Sequence, residues 1–387
     1  MQPSAIYMDH SATTAVDKRV IEAMLPYFTQ WYGNPSSLYF LGQKARQATE
    51  IARGAVATIL NCVPREVIFT SCGTESDNLA IRGVALARQN EGRHLITSPI
   101  EHKAVLDTMK QLQEEWGFEI TILPVDAQGR ISPEEVARAL RPDTILVSLM
   151  YANNEVGTIQ PIAEIGALLR QHPATFQVDA VQAGGYLPLD VEALGVDMMA
   201  LSGHKFHAPK GVGILYVRRG TPYLNTMTGG AQEGSQRAGT QNVPYIVAIA
   251  KALDLAQSER TAKNAQLVAL RDRLISGILA AVPTARLTGH PSERLPGHAS
   301  FTMGEGLEAD AMLLGLDIEG IAASSGSACT SGRNAASHVL TAMGVPYQES
   351  LSALRLTLGD ENTIEEIEYA VKKVPEVVER LQAFAAV

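Results

Sequence analysis

The sequence alternates between short apolar runs and amphipathic stretches, and this alternation restricts its fold more than any other feature. The apolar runs predict strands at 67–70, 94–97, 119–123, 144–150, 175–178, 198–201 and 212–217. Apolar residues at helical spacing predict helices at 17–29, 43–60, 78–90, 104–115, 133–139 and 162–171. Because strands that alternate with helices form βαβ units, we predict an α/β fold with a mainly parallel seven-stranded sheet flanked by helices.

The pattern changes near Pro244, where one long helix is predicted without any strand between its ends. This helix, at 243–281, would link two domains. The segments that follow are strands and helices of a smaller α+β domain, at 286–287, 299–303, 309–316, 333–343, 354–358 and 363–386. We therefore expect a large α/β domain over residues 15–258. The small domain would combine residues 1–14 with residues 259–387.

Composition excludes several classes of protein. Of the 387 residues 46% are hydrophobic and 19% are charged, and the formal net charge is -9. There is no long run of Lys and Arg, no apolar run of about 18 residues and no signal-peptide layout, so we expect neither a nucleic acid nor a membrane as partner. The three cysteines, Cys62, Cys72 and Cys329, are too scattered for a disulfide framework. These features are typical of a cytoplasmic protein.

Lys205 lies in the turn Ser-Gly-His-Lys at 202–205, between two predicted buried strands. A lysine in such a place either reaches water, as in an ordinary surface loop, or is used chemically. A desolvated ammonium loses its proton more readily, and the amine can then form an imine with an aldehyde.

Two further features follow predicted strands. Residues 72–77, Cys-Gly-Thr-Glu-Ser-Asp, join a strand to a helix, and the free N–H groups of a helix start bind phosphate well. The alternative is an ordinary helix with Thr74 as its N-cap. Asp179 ends a buried strand, at the sheet edge where ligands bind, and would pair either with a protonated pyridine nitrogen or with a nearby Arg or Lys.

Three other residues are candidates for chemistry, each with a plainer alternative. His102 opens a helix and is suited to proton transfer. The alternative is an ordinary polar residue at the protein surface. Cys329 lies among small residues in what we expect to be a mobile, exposed loop. It is a candidate nucleophile, and the alternative is an incidental exposed thiol. Arg355 interrupts an apolar strand, where it would bind a carboxylate or form an ion pair.

The combination of these residues is more specific than any one of them. An amine in a turn, a phosphate-binding helix start, a buried carboxylate, a histidine, a mobile thiol and a carboxylate-binding arginine occur in one α/β chain. This set suits an enzyme that uses pyridoxal 5'-phosphate (PLP) on an α-amino acid.

Longer motifs carry a family resemblance. They include Ser-Gly-His-Lys at 202–205, Arg-Ala-Gly-Thr at 237–240 and Ser-Gly-Ser-Ala-Cys-Thr-Ser at 325–331. Further matching segments are 8–14, 32–37, 69–78, 101–106, 153–157 and 178–182. With them the chain resembles the cysteine desulfurases of iron–sulfur cluster and nitrogenase assembly, which are class V aminotransferase-like, fold-type I PLP enzymes.

The resemblance implies roles for particular residues. Lys205 would hold PLP as an imine, His102 would stack on the ring and act as acid and base, and Cys329 would accept the sulfur as a persulfide. Cofactor-binding positions would be Gly73, Thr74, His102, Asn154, Asp179, Gln182, Ser202, His204, Lys205 and Thr240, the last acting from the other subunit of a homodimer. The substrate carboxylate would be bound by Arg355, Asn154 and Asn34.

The implied reaction converts L-cysteine to L-alanine and passes the sulfur from Cys329 to an iron–sulfur scaffold or another acceptor protein. The loop around Cys329 resembles that of the family members with a long flexible loop. No resident metal is expected, although Cys329 would be the residue to contact a transferred iron–sulfur cluster. The alternative is another fold-type I PLP enzyme, either an aminotransferase or a cystine C–S lyase, which needs no mobile cysteine.

Overall fold

The protein is described by a computed structural model that covers residues 6–326 and 336–385. Its strands are β1 (Ile6–Tyr7), β2 (Val67–Thr70), β3 (His94–Thr97), β4 (Glu119–Ile122), β5 (Thr144–Met150), β6 (Thr175–Asp179), β7 (Met198–Ser202), β8 (Gly213–Val217), β9 (Arg286–Leu287), β10 (His298–Thr302), β11 (Ile321–Ala322) and β12 (Ala353–Thr357). Strands β2 to β8 form one seven-stranded sheet in the order β2-β8-β7-β6-β5-β3-β4. Within it β8 runs antiparallel to both neighbours, and the other pairs are parallel. The predicted fold class is confirmed.

Helices cover both faces of this sheet and build the rest of the chain. They are α1 (Lys18–Met24), α2 (Pro26–Thr29), α3 (Phe40–Leu60), α4 (Gly73–Arg88), α5 (Lys103–Trp116), α6 (Pro133–Ala139), α7 (Ile162–Leu169), α8 (Val191–Leu194), α9 (Val243–Ala281), α10 (Ala309–Ile318), α11 (His338–Ala342), α12 (Tyr347–Ser350) and α13 (Ile364–Ala385). In the described part of the chain, no helix is both long and apolar enough to cross a lipid bilayer.

Predicted helices differ most from the observed ones at three places. Among the described residues, the helix expected at 333–343 is observed as α11 over His338–Ala342, with Ser337 as its N-cap. The single helix expected at 17–29 is broken into α1 and α2, because Pro26 has no N–H to continue the first helix and starts the second instead. Helix α4 begins at Gly73 rather than at 78, with Cys72, not Thr74, as its N-cap. The residues taken for a turn are therefore the first turn of the helix.

The central strands are buried because apolar helices pack on both faces. One face is covered by α4 and α5, with a core that includes Ile81, Leu95 and Leu215. The other face packs against α3, α7 and α9, in a core that includes Phe176 and Ile249. Strands with two covered faces consist of nearly continuous apolar residues, as the sequence shows.

A second region surrounds a smaller antiparallel sheet, in the order β12-β10-β9. Its core joins α9, α10 and α13 and includes Phe301 and Leu356, together with Met8 from the start of the chain. Strand β1 pairs in parallel with β11, which fixes the N-terminal segment to this region. Helix α9 runs past residue 258 without a break and carries buried residues of both cores. The domain limits stay a prediction.

Candidate active site

A cavity of roughly 480 Å³ opens where the carboxyl ends of the central strands meet the second region. Strands β5, β6 and β7 each contribute their last residue to its wall, namely Met150, Asp179 and Ser202. In open α/β sheets this edge is where ligands bind, and the volume is that of a small-molecule site. Other lining residues come from the starts of α4 and α5, from the N-terminal segment, from the segments that follow β5, β6 and β7, and from α11 and β12.

Lys205 ends the short 3-10 turn that follows β7, and it lines the cavity. Its Nζ atom donates hydrogen bonds to the carbonyl oxygens of Ser11 and, at 2.9 Å, of Ala12. The side chain is half-buried. An amine that is held by carbonyls at the wall of a cavity is within reach of a ligand that binds there.

The start of α4 forms one end of the cavity. The first N–H groups of a helix have no intrahelical acceptor, so they attract an anion. A Cβ atom at Gly73 would lie 2.6 Å from Cγ2 of Val181, so this position has no room for a side chain. His204 lies on the same wall, where burial and then the charges of Lys205 and Lys210 lower its pKa to about 4. A neutral His204 can donate one hydrogen bond to a phosphate.

Asp179 lies at the floor of the cavity and is 6% exposed. Its Oδ1 accepts a hydrogen bond from the N–H of Val181 at 2.9 Å. Burial raises the pKa of Asp179, whereas the charges of His102 and Lys205 act in the opposite direction. A buried carboxyl of this kind gains most from a cationic ligand group.

Two further buried carboxyls lie behind Asp179. Asp77 accepts a hydrogen bond at 3.0 Å from Gln177, two residues before Asp179 on the same strand. Glu101 accepts the N–H of Met150, which is the register partner of Asp179, at 3.1 Å. Burial raises the pKa of Asp77 well above its usual range and that of Glu101 to about 8, so burial favours the protonated form of both carboxyls.

His102 and Arg355 lie on the walls above Asp179. His102 is the N-cap of α5, and its Nδ1 accepts the N–H of Ala104 at 3.1 Å, so in the neutral ring the proton is on Nε2. Arg355 is 2% exposed and donates from Nη1 to the carbonyl oxygen of Asn154 at 2.8 Å. Among the described residues its Nε has no hydrogen-bond partner. A buried guanidinium with a spare donor is suited to a carboxylate.

The structure brings most of the predicted site residues together. The cavity is lined by Gly73, Thr74, His102, Asn154, Asp179, Gln182, Ser202, His204, Lys205 and Arg355. Thr240 and Asn34 are exposed and do not line it. Cys329 lies outside the described residues. The roles given to all of these residues stay predictions.

Several lining residues were not predicted, notably Asp77, Glu155 and His338. Asp77 and Glu155 belong to the motifs at 69–78 and 153–157, so their presence there was a signal that could have been used. His338 follows the segment that contains Cys329 and belongs to none of these motifs. Its place in the cavity depends on packing between distant segments.

Comparisons with known proteins agree with this geometry. The family described as "Aminotransferase class-V" matches residues 6–370, so the chain belongs to that family. A protein of Methanosarcina thermophila named "Cysteine desulfurase IscS" is 50% identical over 98% of this chain and 93% of its own length. "Cysteine desulfurase 2" of Trichormus variabilis is 48% identical over 99% of this chain and 95% of its own length.

Solved structures give the same result. A "NifS-like protein" has a TM-score of 0.91 and 39% identity, over 97% of this chain and all of that one. A structure titled "SspA in complex with cysteine" has a TM-score of 0.81 and 36% identity, over 91% of this chain and 98% of that one. The predicted resemblance is confirmed, and the cofactor of this class of enzyme is PLP.

Proposed function

We propose that the protein is a PLP-dependent cysteine desulfurase that converts L-cysteine to L-alanine and transfers the sulfur to Cys329 as a persulfide. One observation carries the proposal: a single cavity contains the amine of Lys205, the buried carboxyl of Asp179 and the guanidinium of Arg355. These groups fit the aldehyde and ring nitrogen of the cofactor and the carboxylate of an amino acid. Relatives named cysteine desulfurase along nearly the full chain support the choice of substrate.

The residues of the cavity fit PLP. The start of α4 at Gly73 and Thr74 would hold the phosphate together with Ser202 and His204. Because Gly73 has no side chain, this helix start can pack closely against Val181. Bound PLP supplies an electrophilic aldehyde and an electron-withdrawing ring.

Other residues would hold the ring. Asp179 would pair with its nitrogen and His102 would stack on its face. Gln182, whose Nε2 donates to the carbonyl of Ser11 at 3.0 Å, would hydrogen-bond its phenolic oxygen with Asn154 close by.

The substrate carboxylate would bind Arg355, whose Nε is available and whose Nη atoms are already fixed by the protein. Asn154 lies beside it in the cavity wall. Because the guanidinium is buried, its hydrogen bonds to a carboxylate are strengthened by the low local dielectric. This contact orients the substrate with its amine toward Lys205.

Two side chains would move protons. Lys205 Nζ would take the α-proton of the substrate, since its amine lies in the cavity wall. His102 Nε2 bears a proton in the neutral ring and would donate it, while Nδ1 stays held by the N–H of Ala104. The thiolate of Cys329 would then attack the substrate sulfur as the carbon–sulfur bond breaks, and alanine would leave.

The partners belong to the same proposal. Cys329 would pass its sulfur to an iron–sulfur scaffold or another acceptor protein in the cytoplasm. A homodimer is supported by exposed apolar side chains on one stretch of α1 to α3, which include Leu25, Phe28, Tyr32, Leu38 and Phe40. A monomer rarely exposes so many large apolar groups close together in its sequence.

The dimer can be tested by light scattering during gel filtration. Leu38 is 88% exposed in this stretch, and Leu38→Glu would place a charge in the interface. We expect that variant to elute as a monomer. Ile318→Glu is the matched control, because Ile318 is 79% exposed on α10 and outside this stretch. A dimer that persists in Leu38→Glu would refute the assigned interface.

The activity is tested by incubating the PLP-loaded protein with L-cysteine and measuring alanine and sulfide. We expect both products from the parent protein, none from Lys205→Ala, and none from Cys329→Ala although the cofactor absorbance band remains. Mass spectrometry should find one additional sulfur on Cys329. Turnover that survives alkylation of the cysteines would instead support a cystine C–S lyase or an aminotransferase.

A further inference from the structure

A histidine and a glutamate that have no role in the scheme above face each other at one side of the cavity. His338 is the first residue of α11, and Glu155 lies in the segment that follows β5. Both side chains line the cavity. His338 Nδ1 lies 3.9 Å from Glu155 Oε1, and His338 Nε2 lies 3.0 Å from the carbonyl oxygen of Glu101.

These contacts determine which ring nitrogen of His338 can take a proton. A carbonyl oxygen only accepts hydrogen bonds, so Nε2 must carry a proton and donate it to Glu101. In the neutral ring, Nδ1 then has a lone pair. A proton that binds there produces an imidazolium whose positive charge faces the carboxylate of Glu155. The pair is therefore arranged to accept a proton at Nδ1.

The glutamate is held rigidly, whereas the histidine reaches solvent. Glu155 is 6% exposed, and its Oε2 accepts a hydrogen bond at 2.5 Å from the hydroxyl of Ser337, the N-cap of α11. Its own N–H donates to Oδ1 of Asn153 at 2.8 Å. The side chain of His338 is 31% exposed. A proton taken up at Nδ1 can therefore be released to water.

Other charged or titratable groups also act on the pair formed by His338 and Glu155. Those that line the cavity or lie on the adjoining segments are Asp77, Glu101, His102, Lys103, Asp179, His204, Lys205 and Arg355. The cations among them oppose a positive charge on His338. Glu155 opposes them from 3.9 Å away, so removing its charge should have a measurable effect on proton uptake by His338.

We propose that His338, positioned by Glu155, accepts the proton that the ammonium group of the incoming amino acid must lose. The proposal rests on the function proposed above and adds a residue to it. In water the substrate amine is –NH₃⁺ and has no lone pair with which to attack an imine. One ammonium N–H bond breaks, its electron pair stays on the substrate nitrogen, and a bond forms between the proton and His338 Nδ1. The imidazolium later returns the proton to solvent.

The step is measured without turnover by mixing PLP-loaded protein with L-alanine, which has the same ammonium group but no thiol. Stopped-flow absorbance of the cofactor gives the association rate from pH 6 to pH 9. We expect His338→Gln to react about a hundred-fold more slowly than the parent near pH 8. The rate of the parent should fall as the pH is lowered, and this acid limb of the pH profile should be absent in His338→Gln. The matched control is His172→Gln, at the opposite, amino end of β6, which should behave like the parent.

Glu155→Gln is the second variant. It retains an acceptor for Ser337 but has no charge beside the imidazolium, so the acid limb should move to lower pH with a smaller loss of rate. An unchanged rate and pH profile in His338→Gln would overturn the proposal. If that variant does not load cofactor, the acid limb of Glu155→Gln decides instead, and an unmoved limb overturns it.

The outcome is separable from the test of the proposed function. A parent protein that forms no alanine from cysteine refutes the desulfurase, yet the alanine-binding rates would still report on His338. A parent that does form alanine, together with an unaffected His338→Gln, would refute only this inference.

Discussion

The guanidinium of Arg355 donates from Nη2 to Oδ1 of Asp9 at 2.7 Å, and this ion pair ties the first segment of the chain to strand β12. The side chain of Arg355 is 3% exposed and that of Asp9 is 18% exposed. Backbone pairing supports the same junction, because the N–H of Thr357 donates to the carbonyl of Met8 at 2.7 Å. The arginine that we assign to the substrate is thus oriented by the N-terminal segment.

Asp9→Asn should destabilise the protein, because it leaves a buried guanidinium without its counter-charge. Removing one partner of a buried pair costs several kcal/mol, and since Asp9 is partly exposed we expect a loss of about 2–4 kcal/mol. Chemical denaturation of parent and variant measures it. Asp143→Asn is the control, since Asp143 pairs with Arg141 at the surface and should have no measurable effect. A stable Asp9→Asn would contradict the structural importance of the pair.

Much of the fold could be predicted from the sequence because the central strands are buried on both faces. A strand such as β5 or β7 then consists mostly of apolar residues, and the run is visible without any knowledge of its neighbours. The start of α4 was missed because cysteine is not among the usual N-cap residues. The break at Pro26 was missed because the apolar spacing continues across it.

The site was predictable to a similar extent and for a related reason. Asp179 and Ser202 end parallel strands, and such ends meet at one edge of a sheet, so their proximity follows from the order of elements. Asp77 and His338 reach the cavity from helices, where local sequence does not distinguish a residue that faces the cavity from one that faces solvent. Their positions are consequences of tertiary packing.

Gly73→Ala should weaken cofactor binding, because the added Cβ would lie 2.6 Å from Cγ2 of Val181. Either the start of α4 or Val181 must move, and the phosphate site moves with it. We expect the dissociation constant of PLP, measured by absorbance titration of the cofactor-free protein, to rise about ten-fold or more, which corresponds to roughly 1.4 kcal/mol.

The double variant Gly73→Ala/Val181→Ala removes the obstructing methyl groups and should recover most of the affinity. Gly54→Ala is the matched control, because no atom lies within 4 Å of the added Cβ on α3. If the double variant binds PLP no better than Gly73→Ala alone, the contact with Val181 is not the cause.

Cys72→Ser should stabilise the protein slightly and leave sulfur transfer intact. Cys72 caps α4 through Sγ, which accepts the N–H of Glu75 at 3.4 Å, and sulfur is a weak acceptor. A hydroxyl oxygen is among the preferred N-cap groups, so the unfolding free energy should rise by up to about 1 kcal/mol. Thermal unfolding and sulfide release test both parts. Loss of persulfide on Cys329 in this variant would mean that the second thiol takes part in the reaction.

Glu101→Gln should change how stability depends on pH. Burial raises the pKa of Glu101 to about 8 from an ordinary value of 4.5, so the folded protein keeps a proton that the unfolded chain loses over this interval. The stability that this proton contributes is fully present below pH 4.5, falls as the pH rises and is lost above about pH 8. The total loss is roughly 5 kcal/mol.

Glutamine keeps an oxygen in place for Ser98 and Met150 but has no proton to lose, so that part of the pH dependence should disappear. Unfolding temperatures of parent and variant at pH 5 and pH 8.5 measure the difference, and the contributions of other groups cancel between the two proteins. We expect the parent to lose more stability than Glu101→Gln over this interval. Glu114→Gln, at an exposed position on α5, should follow the parent. Parallel curves for parent and Glu101→Gln would show that the carboxyl is already ionised in the folded protein, and the floor of the cavity would then carry more negative charge than the structure implies.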